Sequence, residues 1–202
     1  MYSLTRFTVA RLRQLAGVAH DRPAFAPAPG LEGPVPAGFH PNPGFGEVGT
    51  GSEDFERAKE AIRGWRMFPD WVLLWPRGPI AVGEIAIAGT RVLGVWAANA
   101  CQIVQVIDEP RRFGFVYATV AGHALEGAER FVATWEPDDR VTYEVFSISR
   151  TASLIPRLTL PLLRRIQRRF AVDSVAAMQA AVQQSRDAPD LRGAAATSTR
   201  GS

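Results

Sequence analysis

Between Trp71 and Arg150 turn residues cut the chain into strand-length pieces, and a single long helical segment follows. Strands are predicted over 71–76, 80–88, 99–108, 113–120, 128–136 and 141–150, broken at Pro76–Pro79, Glu109-Pro110, Gly122 and Pro137-Asp138-Asp139. Within them the side chains alternate. Tyr117 and Thr119 share one face against Val116 and Val120, and Glu129, Phe131, Ala133 and Trp135 oppose Arg130, Val132 and Thr134. The link 91–98 is ambiguous, with Gly94 and Asn99 marking a bend, and Phe45–Val48 supplies one further, leading strand. Strands that follow one another through short turns pair antiparallel.

Two helices complete the core. Ser52 is placed to cap a helix over 53–65, whose first-turn acids Glu53, Asp54 and Glu56 suit the positive end of its dipole. Phe55, Ala58, Ile62 and Trp65 form its apolar stripe. The long helix is predicted over 156–184. Thr159, Leu163, Ile166, Phe170, Ser174, Ala177 and Ala181 fall on one side, tapering from large to small; Arg157, Arg164 and Arg168 fall on the other. Arg169 and Asp173 are spaced to pair. One sheet face must be covered, and only this helix is large enough. The predicted fold is α+β: a curved antiparallel sheet of six to seven strands wrapped around a long C-terminal helix, with a shorter helix after the first strand.

Around this unit, assigned to 44–185, lie an N-terminal basic helix over 1–20, a Pro/Gly-rich loop over 21–43 and a polar tail over 186–202 expected to be disordered. Arg6, Arg11 and Arg13 interrupt any secretory apolar core, and a docking role is expected of the first helix, with a membrane surface as the alternative. No apolar run approaches the roughly 18 residues that cross a bilayer. A formal charge of +3 does not demand a nucleic-acid partner. Cys101 is the lone cysteine, which excludes an internal disulfide and makes a reducing cytoplasm the expected compartment.

Several motifs carry possible chemistry. Gly44, Gly46 and Gly49 spell a literal G-x-G-x-x-G, but proline-rich chain precedes them, no parallel unit follows and three acids crowd the helix start, so turn geometry is the expected role. His123, with Glu126 and Glu129 nearby and Tyr117 and Thr119 on the adjoining strand, is the best candidate for a general base; the alternative is an ordinary loop tip. His20, His40, His123 and Cys101 show no metal-ligand spacing, so neither metal nor cofactor is expected. Ser147 and Ser149 lack a nucleophile turn and are read as buried hydroxyls. Trp65, Trp71, Trp75, Trp96 and Trp135 fill the core or line a pocket, and the arginines at 164–165 and 168–169 are read as a solvated face.

Taken jointly, several segments resemble the uncharacterised protein family 0548. They are Gly49-Thr50-Gly51 with Phe55 and Ala58; Trp65-Arg66-Met67-Phe68; Asn99-Ala100-Cys101; Arg112-Phe113-Gly114; Tyr117, Thr119, Gly122-His123, Glu129 and Phe131; Ser149-Arg150; and the arginine-rich helix through Met178. The resemblance covers residues 34–184. Two positions depart from the family pattern: Ala118 stands where a glycine is expected, and Ala128 where the first glutamate of a pair is expected, leaving Glu129 without its neighbour. The family is similar in element order to START-like helix-grip proteins, which implies a cavity for lipids or other apolar ligands.

The resulting expectation is a small apolar or amphipathic ligand held between sheet and C-terminal helix. Tyr117, Thr119, His123, Glu129 and Asn99 are the expected polar contacts, with Trp65 and Trp135 as walls. An acid/base enzyme of cyclase or dehydratase type, with His123 as base, is the first alternative. A membrane-surface or protein-interaction module is the second. Ligand identity and oligomeric state stay open.

Overall fold

The structure is a computed structural model and describes residues 2–22, 24–27, 31–121, 125–151 and 160–187. In chain order the elements are β1 (Tyr2–Ser3), α1 (Val9–His20), β2 (His40–Thr50), α2 (Gly51–Arg63), β3 (Leu73–Trp75), β4 (Ile85–Val92), β5 (Val95–Glu109), β6 (Arg112–Thr119), β7 (Leu125–Trp135), β8 (Arg140–Thr151) and α3 (Leu160–Asp187). All pairings are antiparallel, in the order β2-β8-β7-β6-β5-β4-β3, with the short β1 on β5. This is the expected α+β architecture: an open antiparallel sheet with a long C-terminal helix and a shorter one after the leading strand.

The hairpins follow the turn residues closely, with one informative shift. Segment 91–98 is not a bend between strands but the tight end of a hairpin, with Val92 opposite Val95 and the two turn residues Leu93 and Gly94 at φ 49° and 84°. Positive φ at both positions matches the right-handed twist of the flanking strands. β4 and β5 are therefore longer at this end than predicted, and Asn99 lies inside β5, opposite Ala88. β3 retains only three residues of the segment predicted over 71–76.

The leading strand begins at His40, inside the proline-rich stretch, and runs along β8 as an edge. Its prolines face no sheet partner on their free side, which is where a missing N–H is tolerated. Here the G-x-G-x-x-G pattern finds its explanation in packing rather than in turns. A Cβ on Gly44 would lie 2.9 Å from the Ala171 carbonyl oxygen, and one on Gly46 would lie 2.6 Å from a Val175 methyl. These two glycines let α3 settle on the strand, and Gly49 leaves room for Asp54. The α2 start also differs from expectation. The helix begins at Gly51, and the Asp54 carboxylate, rather than Ser52, takes the Thr50 N–H at 2.8 Å.

The concave side of the sheet is sealed by α2 and the C-terminal half of α3. Phe55, Ile62, Trp65, Met67, Phe115, Phe131, Tyr143 and Met178 are buried together. Within α3, Ser174 and Ala181 are buried as predicted, while Leu163, Ile166 and Phe170 are only half-buried and Thr159 and Arg157 lie outside the described residues. α3 extends to Asp187, and Arg186 is pinned to Asp54, its Nε 2.8 Å from Oδ1; residues 188–202 of the predicted tail are outside the described set. Burial alone would raise the Asp54 pKa, but its bonds from Arg186, the Thr50 N–H and Arg57 hold it at about 2.

The convex side is covered too. α1 packs Leu12 and Ala19, with Phe7, on Ile85, Ile87, Ala98 and Val120. Leu31, Phe25 and Phe39 of the proline-rich segment lie over Val116, Ala118, Ala128 and Ile148. Strands such as β6 are therefore buried on both faces.

Candidate functional site

Toward the N-terminal half of α3 the helix stands off the sheet and leaves a cavity of about 190 Å³. One wall is aromatic and aliphatic: Phe68, Trp71, Leu163, Ile166 and Phe170. The opposing floor is polar and belongs to the sheet. Tyr117, Glu129 and Ser147 are register partners across β6, β7 and β8, and all three line the cavity. The Tyr117 hydroxyl donates to Glu129 Oε2 at 2.7 Å, and Ser147 bonds the same carboxyl.

Among the described residues no cation is paired with this carboxyl. Burial raises its pKa to about 7 against the opposing pull of the Tyr117 and Ser147 hydrogen bonds. Burial likewise holds the Tyr117 phenol well above its usual range, with the Glu129 charge adding to it. Cys101 also lines the cavity, and burial pushes its thiol up, so it stays protonated and inert.

The next rung shows a different use of a polar side chain. Thr119 Oγ1 accepts the Gly127 N–H at 3.0 Å and donates to the Gly127 carbonyl at 3.2 Å. The hydroxyl thus stands in for a backbone rung at the end of the β6–β7 ladder. A Cβ on Gly127 would collide with the Ile148 carbonyl oxygen, so the close approach requires glycine.

Of the residues expected at the site, Tyr117, Thr119, Glu129 and Asn99 line the cavity together. His123 lies outside the described residues. Glu126, its expected partner, is half-buried and bonded to Arg150 at 2.8 Å; strand alternation puts it on the other face from Glu129. The two tryptophans are elsewhere. Trp65 is 2 % exposed in the sealed core, with φ 56° and its indole N–H on the Gly78 carbonyl at 2.7 Å. Trp135 lies beside Phe55, under the Arg111 guanidinium, and donates to Asp139 at 2.8 Å. The tryptophan that does wall the cavity is Trp71, fixed by its N–H to Asp173 at 2.7 Å and capped by Arg169. Arg169 and Asp173 pair as predicted, at 3.2 Å.

Sequence reasoning underrated Ser147, Ser149, Gln167 and Arg164. The serines are buried as expected, but both line the cavity. Arg164, placed on the solvent side by helical periodicity, instead reaches β8: its Nη1 donates to Ser149 Oγ at 2.9 Å and to Gln167 Oε1 at 2.9 Å. A long arginine stem can carry its head well off the helical projection of its Cα. Ala128 also changes meaning. Its methyl packs on the convex face with Leu31, Val116 and Ile148. A glutamate there would point into that apolar layer, so the departure from the family pattern removes no carboxylate from the cavity. Among the described residues no group of three or more His, Cys, Asp or Glu side chains is placed to hold a metal, and no helix is long and apolar enough to cross a membrane.

The sequence profile of "Domain of unknown function (DUF1990)" matches residues 25–177, more than half of the chain. The chain belongs to this family. Relatives named UPF0548 protein occur in Deinococcus radiodurans, 34 % identical over 137 residues (61 % of this chain, 69 % of the relative), and in Dictyostelium discoideum, 34 % identical over 150 residues (67 % and 69 %). Among solved structures, the fold is similar to Zhui aromatase/cyclase from Streptomyces sp. R1128, with a TM-score of 0.52 and 14 % identity, covering 75 % of this chain and 97 % of that one. It is also similar to a protein from Thermus thermophilus, with a TM-score of 0.51 and 10 % identity, covering 72 % and 99 %. At these identities the likeness is one of fold, which this DUF1990 member shares with helix-grip proteins.

Proposed function

We propose that the protein binds a small amphipathic ligand in the cavity between the sheet and α3. The observation that carries this reading is the Glu129 carboxyl in the cavity floor, which has no cation partner among the described residues. Burying an ionisable group without a cation opposes folding, and such groups concentrate where they serve binding or chemistry. Around it the cavity pairs an apolar wall with a few convergent polar groups, the usual make-up of a ligand site. Tyr117, Glu129 and Asn99 would meet the ligand's inner polar group, while Phe68, Trp71 and Phe170 take its apolar body. Thr119 contributes through the ladder it completes, with one lone pair to spare. The compartment proposed is the cytoplasm, where the buried thiol of Cys101 needs no partner.

The pair Glu129–Tyr117 favours a second reading, acid/base chemistry on the bound molecule. A carboxyl titrating near 7 exchanges protons readily at neutral pH. In that case Glu129 takes the base role first assigned to His123. To test binding, purified protein is equilibrated with a cell extract, washed, and its retained small molecules are analysed by mass spectrometry beside a Glu129→Leu control. Specific retention by the wild type alone is expected. If both proteins retain the same background, the ligand-binding reading fails.

A further inference from the structure

The rim of the cavity indicates which ligands it takes, on the reading that it is a binding site. Ser149 Oγ accepts one hydrogen bond from Arg164 and another from Gln167 Nε2, each at 2.9 Å. A hydroxyl has two lone pairs and a single hydrogen. With both lone pairs engaged, the hydrogen is left to donate, and no acceptor receives it among the described residues. Ser149 is buried and lines the cavity, so an acceptor on a bound molecule can take that hydrogen.

The charge behind Ser149 specifies the acceptor. All of Arg164's bonds to described residues go to neutral oxygens: Ser149 Oγ, Gln167 Oε1 and, more weakly, the Ser149 carbonyl. Burial disfavours its charged form, and Arg168 one turn along adds to the effect. Among the described residues this half-buried guanidinium has no carboxylate partner, and an anion accepting the Ser149 hydrogen would supply a counter-charge.

Geometry limits the size of that anion. A benzene ring occupies an apolar cavity of about 150 Å³, so a space of about 190 Å³ holds one ring with a small substituent. Ser149 lies two residues beyond Ser147, the partner of Glu129, which puts the anion end roughly 7 Å along the strand from the Glu129 row. The two polar ends are thus a ring's length apart, and Glu129 opposes a second negative charge at the inner end.

We propose that Ser149, backed by Arg164 and Gln167, is the anchor for a single carboxylate, and that the ligand class is a monocyclic carboxylic acid whose ring lies against Trp71 and Phe170.

Isothermal titration with benzoate and the isosteric, neutral benzamide tests this on the full chain. Wild type is expected to bind benzoate about tenfold more tightly than benzamide, the scale of one charge-assisted hydrogen bond. Ser149→Ala and Arg164→Gln are expected to lose about that factor for benzoate; Arg164→Lys, which keeps the charge, is expected to retain most of it. Arg165→Gln, on the exposed side of α3, serves as the control. Equal affinity for the two compounds, or benzoate binding that survives Arg164→Gln, overturns the carboxylate anchor and leaves the broader binding reading standing. Failure of both compounds to bind also removes the carboxylate proposal, while retention from cell extract still decides separately whether the cavity binds anything.

Discussion

The two halves of the space beneath α3 are built from opposite choices. In the C-terminal half the helix offers Ala171, Ser174, Met178, Ala181 and Val182 to the sheet, and the glycines of β2 let it approach to contact. In the N-terminal half it offers Leu163, Ile166 and Phe170, which stay half-buried and prop the helix above a floor of Tyr117, Glu129, Ser147 and Ser149. Side-chain volume on one helix thus decides where the molecule is core and where it is cavity. Where the helix closes, the Tyr143 hydroxyl is paired with Ser174 of α3 at 2.9 Å; where it does not, the polar groups of the sheet face the cavity.

The largest test of this contrast is a pair of truncations. Phe131, fully buried and in ring contact with Phe68, Phe115 and Tyr117, is expected to lose about 3–5 kcal/mol on replacement by alanine. Leu163→Ala, in the propped half, is expected to lose about 1 kcal/mol or less. Urea denaturation measures both, and similar losses would mean that α3 packs uniformly.

A second test uses pH. The raised pKa of Glu129 means that the folded state holds its proton more tightly than the unfolded chain does. Stability from this group is therefore full below pH 4.5 and declines as pH rises toward 7. Glu129→Gln is expected to flatten that decline and to raise stability at pH 8 by up to about 3 kcal/mol. Denaturation curves at pH 5 and pH 8 for both proteins check it; parallel pH profiles would place the carboxyl in contact with water.

A third test is made at the seam. Gly44→Ala puts a methyl against the Ala171 carbonyl and is expected to lower stability by roughly 1–3 kcal/mol, the usual range for overpacking. A shift in ligand affinity alongside the loss would show that lifting α3 at its contact also widens the cavity.

Much of this could be read from the chain because the signals were local. Turn residues marked the β6–β7 and β7–β8 hairpins, and alternation grouped Tyr117 with Thr119 and Glu129 with Phe131; the register then sets Tyr117 opposite Glu129. The misplacements were non-local. A left-handed backbone at Trp65 turns its ring into the sealed core, and nothing in residues 64–66 announces this. Trp71 is held as a cavity wall by Asp173, Arg169 and Phe170, about a hundred residues further along. Arg164 was assigned by the angle of its Cα, whereas its function depends on where a flexible stem ends. The glycines of β2 looked like a turn or a nucleotide loop because their partner is a helix more than a hundred residues away.

The ion pair between Arg186 and Asp54 has a mechanical side. It fixes the far end of α3 to α2, and Gly44 and Gly46 grip the middle. Over the cavity the helix is tethered by exchangeable hydrogen bonds, including the Asn42 amide on the Gln167 carbonyl at 3.0 Å and Arg164 on Ser149. From Leu163 to the grip at Ala171 is roughly 12 Å of helix, so a tilt of about 10° there displaces the end over the cavity by about 2 Å. The close contacts of Gly44 and Gly46 thus act as a fulcrum, and a methyl added there would bear on how wide the helix stands over the cavity.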